Sequence, residues 1–427
     1  MYCLSTRTAE RVPLSEAITA GLARDGGLYV PERLPRIATN ARSLAAVAAD
    51  VLRPFFEGEP ASAELDAMCA TAFGLDAPLA PLPGDNDFQL ELFHGPTAAF
   101  KDYGAQFLAE LLSWHASAHQ TILVATSGDT GAAVAGAFAN RPGFDVVILY
   151  PDGRVSPRQA HQLGAFGGNV RAFRVAGSFD DCQAMVKAAF ADASLRTQRN
   201  LRSANSISLG RLLPQIAYYA HASLALEARG LGPVSFVVPT GNLGNAVACL
   251  YARQMGLPID RVVLAMNANR TLVDYVRGAP YRPAESKSTL ANAMDVGAPS
   301  NVERLQRLLP DAASLRTLAA ETVSDEEIRE AILRTWNAGG IAICPHTACG
   351  VEALRRLRAD GATGTWAVAA TAHAAKFETI VEPIIGVRIA PPPSLQALLD
   401  RPAHSSPLSA DASALKAVLT GDPPIAR

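Results

Sequence analysis

Five lysines stand in this chain among many more arginines, and one of them, Lys101, lies in the run "ELFHGPTAAFKDYG". Leu92, Phe93, Ala98, Ala99 and Phe100 lead into it. A lysine drawn into apolar surroundings loses its proton more readily, and the neutral amine is a nucleophile for a carbonyl. A lysine facing water at a helix start is the other reading, because Asp102 and Tyr103 follow. The run alone does not choose between them. Lys376, in "HAAKFE", is a second lysine among apolar neighbours. It is the rival to Lys101 as the amine that meets a carbonyl, but it lacks a polar strand-to-helix loop beside it, so a surface place at a helix start is the favoured reading. His94, between Phe93 and a Gly-Pro pair, reads as part of a shaped turn.

Three polar junctions accompany Lys101. In "VVPTGNLGNAVA" a strand runs into Gly241, Asn242, Leu243, Gly244 and Asn245 and then into a helix. Free N–H groups at a helix start attract anions, and glycine lets the backbone close on a phosphate. No Lys-Ser or Lys-Thr follows, so this is not a P-loop, and the third glycine of a dinucleotide fingerprint is missing. An ordinary strand-to-helix turn is the plain alternative. In "VATSGDTGAAVA", Thr126, Ser127 and Thr130 offer hydroxyls beside Gly128 and Gly131. Asp129 would repel an anion there, so it is either the N-cap of the next helix or has a separate task. In "SANSISLGR", Asn205, Ser206 and Arg211 lie close together, and arginine is the side chain best suited to clasp a phosphate. "CPHTAC" holds Cys344, His346 and Cys349 without the paired spacing of a zinc site, and reads as helix-start packing. A dry lysine, an anion loop and a second polar loop together suit pyridoxal 5′-phosphate, an aldehyde carrying a phosphate.

The elements that position these groups follow from pattern. "TILVAT" (121–126), "DVVILYP" (145–151), "NVRAFRVAG" (169–177), "VSFVVPT" (234–240), "RVVLAMNAN" (261–269) and "TWAVAATAH" (365–373) are apolar on both faces and alternate with Ala-rich helical segments. Such strands belong to a parallel sheet covered by helices, an α/β class. The first 85 or so residues, with helical periodicity in "PLSEAITAGLA" and "SLAAVAADVLRPFF" and "APLAPLPGDND" as a boundary, read as a mostly helical N-terminal domain. The Pro-rich tail from residue 391 is expected to wrap the surface. At 427 residues there is room for two or three domains. The net charge of −2 argues against a nucleic-acid partner. No run is long enough for a membrane span, and the six scattered cysteines suit a cytoplasmic protein.

The stretches "DGGLYVPERLP", "LELFHGPTAAFKDYG", "ATSGDTGAAVA", "VVILYPDGRVSPRQ", "NSISLGRLLPQIAYY", "VPTGNLGNAVA", "TLANAMDVGAPSN" and "TAHAAKFE" resemble those of the threonine synthase family, across nearly the whole chain. The resemblance implies pyridoxal-phosphate fold type II: two open, twisted parallel-sheet α/β domains with cofactor between them, behind a separate N-terminal domain. It implies domains at 1–85, 86–390 and 391–427. It implies that Lys101 carries the cofactor as a Schiff base and moves protons. Residues 241–245 would wrap its phosphate, Thr371 would face the ring nitrogen and Asp129 would lie near the 3′-oxygen. Thr126, Ser127 and Thr130 would surround the substrate, and Asn205, Ser206 and Arg211 would clamp its phosphate. Leu243 and Asn245 stand where many relatives carry Phe and Asp. The implied reaction is a lyase-type β,γ-replacement that turns O-phospho-L-homoserine and water into L-threonine and phosphate, in a monomer or homodimer. A phospholyase releasing 2-oxobutyrate and a silent amino-acid-binding homologue are the rivals. Asn292 and Asp295 are further candidates to line the site.

Overall fold

The computed structural model describes residues 1–115 and 118–421. Strands β1 (Tyr2–Ser5), β2 (Arg11–Pro13) and β3 (Tyr29–Pro31) form a small antiparallel sheet. β4 (Leu79–Pro81) and β5 (Asp87–Glu91) open a second sheet. β6 (Gln120–Ala125), β7 (Phe144–Pro151), β8 (Val170–Ala176) and β9 (Leu201–Ser203) build a third. β10 (Val234–Pro239), β11 (Ile259–Met266), β12 (Ala319–Thr322) and β13 (Thr365–Ala370) return to the second, and β14 (Ser406–Ser409) joins the third. The second sheet runs β12-β11-β10-β13-β5-β4 and the third β14-β8-β7-β6-β9. Apart from the antiparallel edge pair β4–β5, every pairing in these two sheets is parallel.

The central parallel strands are apolar on both faces, whereas the edge strands β9, β12 and β14 are only partly buried. β6, β10 and β13 are buried along their whole length, which requires helices on either side. Strands β6 to β9 of the third sheet are inserted in sequence between β5 and β10, so the second sheet is assembled from two distant stretches of chain, and β14 returns to the third. Both sheets therefore direct the C-terminal ends of parallel strands toward loops, the usual place for a ligand crevice in open α/β sheets.

The N-terminal region is mostly helical, with helices Leu14–Ala20, Leu44–Phe56 and Leu65–Ala72, and also carries the short strands of the β1–β3 sheet. Two expectations change. The Pro-rich boundary contributes β4, an edge strand of the second sheet, and an edge tolerates its terminal proline. The tail goes beyond wrapping a surface. β14 extends the third sheet beside β8, and helix Ala412–Gly421 packs on helix Phe179–Ala191.

Candidate active site

Lys101 is placed by the β5–β13 pair. The ladder Asp87↔Trp366 to Glu91↔Ala370 continues past both strand ends, where Leu92 N donates to Ala370 O at 3.0 Å and Phe100 N to Thr371 O at 2.9 Å. His373 N donates to Ala98 O at 3.1 Å, around an isolated bridge between Ala99 and Ala372. Lys101 and Thr371 are thereby neighbours. Between β5 and Lys101 the chain makes a tight turn with Ala98 at φ 54°. The Asp102 carboxylate holds that turn, accepting from Thr97 N at 2.9 Å and Thr97 Oγ1 at 2.6 Å. A Cβ at residue 95 would collide with the same carboxylate, which is why the turn needs Gly95.

The water-facing reading of this run fails, since Asp102 and Tyr103 are fully buried. Burial pushes the Asp102 carboxyl up to about 6, against the pull of the Thr97 hydrogen bonds and Lys376. Lys101 itself is half-buried at the first turn of helix Lys101–His115. Burial lowers its amine pKa; Asp129 opposes this, while Lys376 and Arg211 lower it further. Among the described residues nothing hydrogen-bonds or ion-pairs with that amine.

The 241–245 loop follows β10. Leu243 adopts a left-handed φ of 64°, and helix Gly244–Gln254 starts behind it with no side-chain cap on its first N–H groups. Gly241 is obligatory on packing grounds, because a Cβ there would lie 2.7 Å from Met294 Cα. Asn242 donates from Nδ2 to Ser206 Oγ at 3.0 Å, while its Oδ1 accepts from Ser300 N and its carbonyl from Asn301 Nδ2. Asn245 Oδ1 accepts from the Tyr218 and Tyr219 hydroxyls, and its Nδ2 is buried with no partner. Uncapped N–H groups and an orphaned amide donor, with no carboxylate in the loop, fit a phosphate. With the unpartnered amine of Lys101 they fit pyridoxal 5′-phosphate.

At the end of β6, Thr126 Oγ1 accepts from Gly128 N and Gly131 N, both at 2.9 Å. Its oxygen shapes the loop, while Ser127 and Thr130 stay partly exposed. Asp129 is the first residue of helix Asp129–Phe138, with Gly128 as N-cap, so it does not cap. Its Oδ1 instead meets Lys376 Nζ at 2.8 Å and accepts from Gln159 Nε2 at 3.0 Å. Burial alone would raise this carboxyl, but Lys376 and Lys101 together drive it below the usual carboxylate range. At the end of β9, Asn205 and Ser206 lie against the 241–245 loop through the Ser206–Asn242 bond. Arg211 is 1% exposed and donates from Nη1 to Ala204 O at 2.6 Å; its Nε is buried without a partner. Among the described residues no carboxylate ion-pairs with it, and burial brings its guanidinium down to about 10. Arg304, also buried, donates to Tyr29 O, Asn301 Oδ1 and Ile207 O at 2.7–2.9 Å.

Sequence reasoning misplaced Lys376, which is not a surface residue but fully buried, donating also to Thr97 O at 2.7 Å. It overlooked Gln159, Asn267 and Asn269. Asn267 Nδ2 and Asn269 Nδ2 donate to Asp295 Oδ1, at 2.8 and 3.3 Å, and so fix the 289–295 loop behind Gly241. The polar Asn-Ala-Asn step ending an apolar strand was the available signal. His346 is buried, and its Nε2 accepts from Ala293 N at 3.1 Å in the same loop. Burial lowers it to about 4. Cys344 caps helix Pro345–Ala359, its Sγ accepting from Thr347 N. His94 pairs with Glu91 at 2.8 Å, half-exposed. Asn292 Oδ1 is buried without a partner.

Residues 77–374 match the family described as pyridoxal-phosphate dependent enzyme, and the chain belongs to that class. Residues 2–73 match the threonine synthase N terminus, and residues 347–419 the threonine synthase C-terminal family. The chain is 40% identical to threonine synthase of Haemophilus influenzae over 96% of its own length and 97% of the relative's. It is 38% identical to that of Escherichia coli over the same shares. It superposes on the Escherichia coli threonine synthase crystal structure with a TM-score of 0.91 at 36% identity, covering 99% of this chain and 100% of that one. A pyridoxal-phosphate-bound threonine synthase from Brucella melitensis gives 0.89 at 35% identity, with 98% of each chain covered. Within the class, the chain is a member of the threonine synthase family.

Proposed function

We propose that this chain converts O-phospho-L-homoserine and water to L-threonine and phosphate, with the residue roles that follow. One observation carries the assignment of the nucleophile: of the two lysines at the centre, Lys376 is held by Asp129 and Thr97, whereas the Lys101 amine, 5.3 Å from the Phe100 ring centroid, has no hydrogen-bond or ion-pair partner among the described residues.

Pyridoxal 5′-phosphate, when bound, supplies an aldehyde for an amine and a conjugated ring that takes up carbanion charge. The 241–245 loop and the start of helix Gly244–Gln254 hold its phosphate, with Asn245 Nδ2 as a further donor. Thr371 presents a hydroxyl to the ring nitrogen, a partner that does not hold a proton there as a carboxylate would. Lys101 Nζ, whose protonated form burial, Lys376 and Arg211 disfavour against the pull of Asp129, accepts the proton from the substrate α-carbon and returns one at the end. Ser127 and Thr130 orient the substrate on the loop that Thr126 shapes. Asn205, Ser206 and Arg211 hold the γ-phosphate and stabilise its charge as it leaves.

We further read residues 1–85, 86–390 and 391–427 as its domains. The six buried free thiols support a reducing, cytoplasmic setting. Among the described residues no helix is long and apolar enough to cross a membrane. The test is product analysis: incubation with O-phospho-L-homoserine is expected to yield threonine and phosphate in equal amounts. Release of 2-oxobutyrate in place of threonine would make the chain a phospholyase, and no turnover at all would make it a silent homologue.

A further inference from the structure

A carboxylate beside a lysine that must stay neutral is a hazard. Asp129 is such a group: it acts on Lys101 in the direction that keeps the amine protonated. Yet Lys101 is not its partner, because Lys376 is. The Lys376 site is built from three segments. Its ammonium is fixed by Asp129 Oδ1 at 2.8 Å and Thr97 O at 2.7 Å, and it is completely enclosed. Its backbone is latched from the other sheet's side, where Ser156 Oγ donates to Lys376 O at 2.7 Å and Arg158 Nη1 to Ala375 O at 2.6 Å. From the same helix, Gln159 Nε2 donates to Asp129 Oδ1 and Gln162 Nε2 to Thr97 O, at 3.0 and 3.1 Å. Each acceptor that binds the ammonium is thus also gripped by a neutral amide. A Cβ on Gly128 would lie 2.6 Å from Gln159 Nε2, so the strand-to-helix turn is shaped around this arrangement.

We propose that Lys376 is a positioning residue of the reaction centre: its fixed ammonium balances the Asp129 carboxylate and so leaves the Lys101 amine free to act as nucleophile and base. This rests on the reading of Lys101 given above. The remaining charged surroundings are few. Arg211 acts on Lys101, and Asp102, His346 and His373 face Lys376. His346 and His373 are both brought down to about 4 by burial and are neutral above that pH. Near neutral pH, Lys376 is therefore the principal cation that offsets Asp129. Without it the carboxylate would act on Lys101 alone, and a nearby unopposed opposite charge raises an amine pKa by about one unit or more.

The experiment uses the cofactor-free protein, so that it reads the chain's own amine and not turnover. Lys101 is acetylated competitively with acetic anhydride across pH, and its modification is quantified by mass spectrometry. Lys376→Gln keeps hydrogen-bond donors to Asp129 and Thr97 but removes the charge. It is expected to cut Lys101 labelling at neutral pH by roughly tenfold or more. Lys376→Arg, which retains a cation, is expected to restore most of it. The double variant Asp129→Asn with Lys376→Gln, whose pair is neutral, is expected to label like the wild type. A Lys376→Gln profile that coincides with wild type overturns the proposal, as does a shift that persists in the double variant. Should Lys376→Gln not fold, the double variant decides: a Lys101 profile displaced tenfold or more from wild type refutes the charge-balance account. Borohydride reduction of the holoenzyme separates this from the underlying reading, because an adduct on residue 376 and not 101 would sink the choice of nucleophile itself.

Discussion

Replacing Thr126 with valine tests whether the 126–131 loop is held by one oxygen. Thr126 Oγ1 accepts from two buried backbone donors, Gly128 N and Gly131 N, both at 2.9 Å. Valine occupies the same space and keeps the methyl that lies against Gly131, so the substitution removes the acceptor and little else. Each N–H left unpaired in the interior costs about 1–3 kcal/mol, giving about 2–6 kcal/mol for the pair. Thr126→Ser is the complementary change. It keeps the oxygen and loses one buried methyl, worth about 1 kcal/mol. The expected order of stability in urea unfolding is wild type, then serine, then valine, with an unchanged dependence on denaturant. Amide exchange read on peptides covering 126–132 is expected to accelerate in the valine variant alone. Because Asp129 follows this turn, that variant is also expected to lose affinity for the cofactor. A valine variant as stable as the serine one would refute the assignment of Thr126 as the organiser of the loop and return it to direct substrate contact.

Other expected outcomes are more direct. Lys101→Ala is expected to abolish turnover and the visible absorbance of the lysine-bound cofactor; residual turnover above background would refute its role. Arg211→Met keeps the buried stem and removes the cation. It is expected to raise KM for the phosphorylated substrate by about ten- to a hundredfold, from a charge-assisted contact of about 1.5–3 kcal/mol. Cofactor affinity should hardly change, and an equal loss of both would mean that Arg211 acts elsewhere. His346 is held at about 4 by burial, below its ordinary value near 6.5. It therefore contributes stability that is complete above pH 6.5 and is lost as pH falls toward 4, by roughly 2–3 kcal/mol. His346→Gln, which can still accept from Ala293 N, is expected to flatten that acid limb relative to wild type. Asp102, raised to about 6, slopes the opposite way in both proteins and cancels in the difference. Parallel pH curves for the two proteins would refute it.

What could be read from the sequence was what is contiguous. Lys101, the 241–245 loop and the 126–130 loop each sit within one strand–loop–helix junction, where apolar runs and polar turns adjoin and the pattern carries the geometry. The main parallel strands were legible for the same reason, since burial on both faces leaves an uninterrupted apolar run. The three-residue strands β2 and β3 gave no periodicity to read, and β4 lay under prolines that read as a boundary. Lys376 was misread because nothing local marks it. Its acceptor on Thr97 lies 279 residues away, and Asp129 is brought to it only when the two sheets assemble. Asp129 likewise resembled a helix cap in one dimension, whereas the cap is Gly128 and the carboxylate has a partner that no local pattern indicates. Arg211 stood out as an anion ligand, but its depth behind Ala204 was not legible.

The guanidinium of Arg304 has a wider consequence. Fully enclosed, it is shared by a carbonyl of β3, the asparagine that backs Asn242 and the carbonyl of Ile207 upstream of Arg211. Severing the first seventy or so residues would strip this interior cation of one of its three acceptors. The disturbance would then reach, through the other two, both loops proposed to hold phosphate. The amino-terminal module is in that sense part of the reaction chamber's wall, and a shortened enzyme would have to be re-engineered at residue 304 before it could be expected to stand alone.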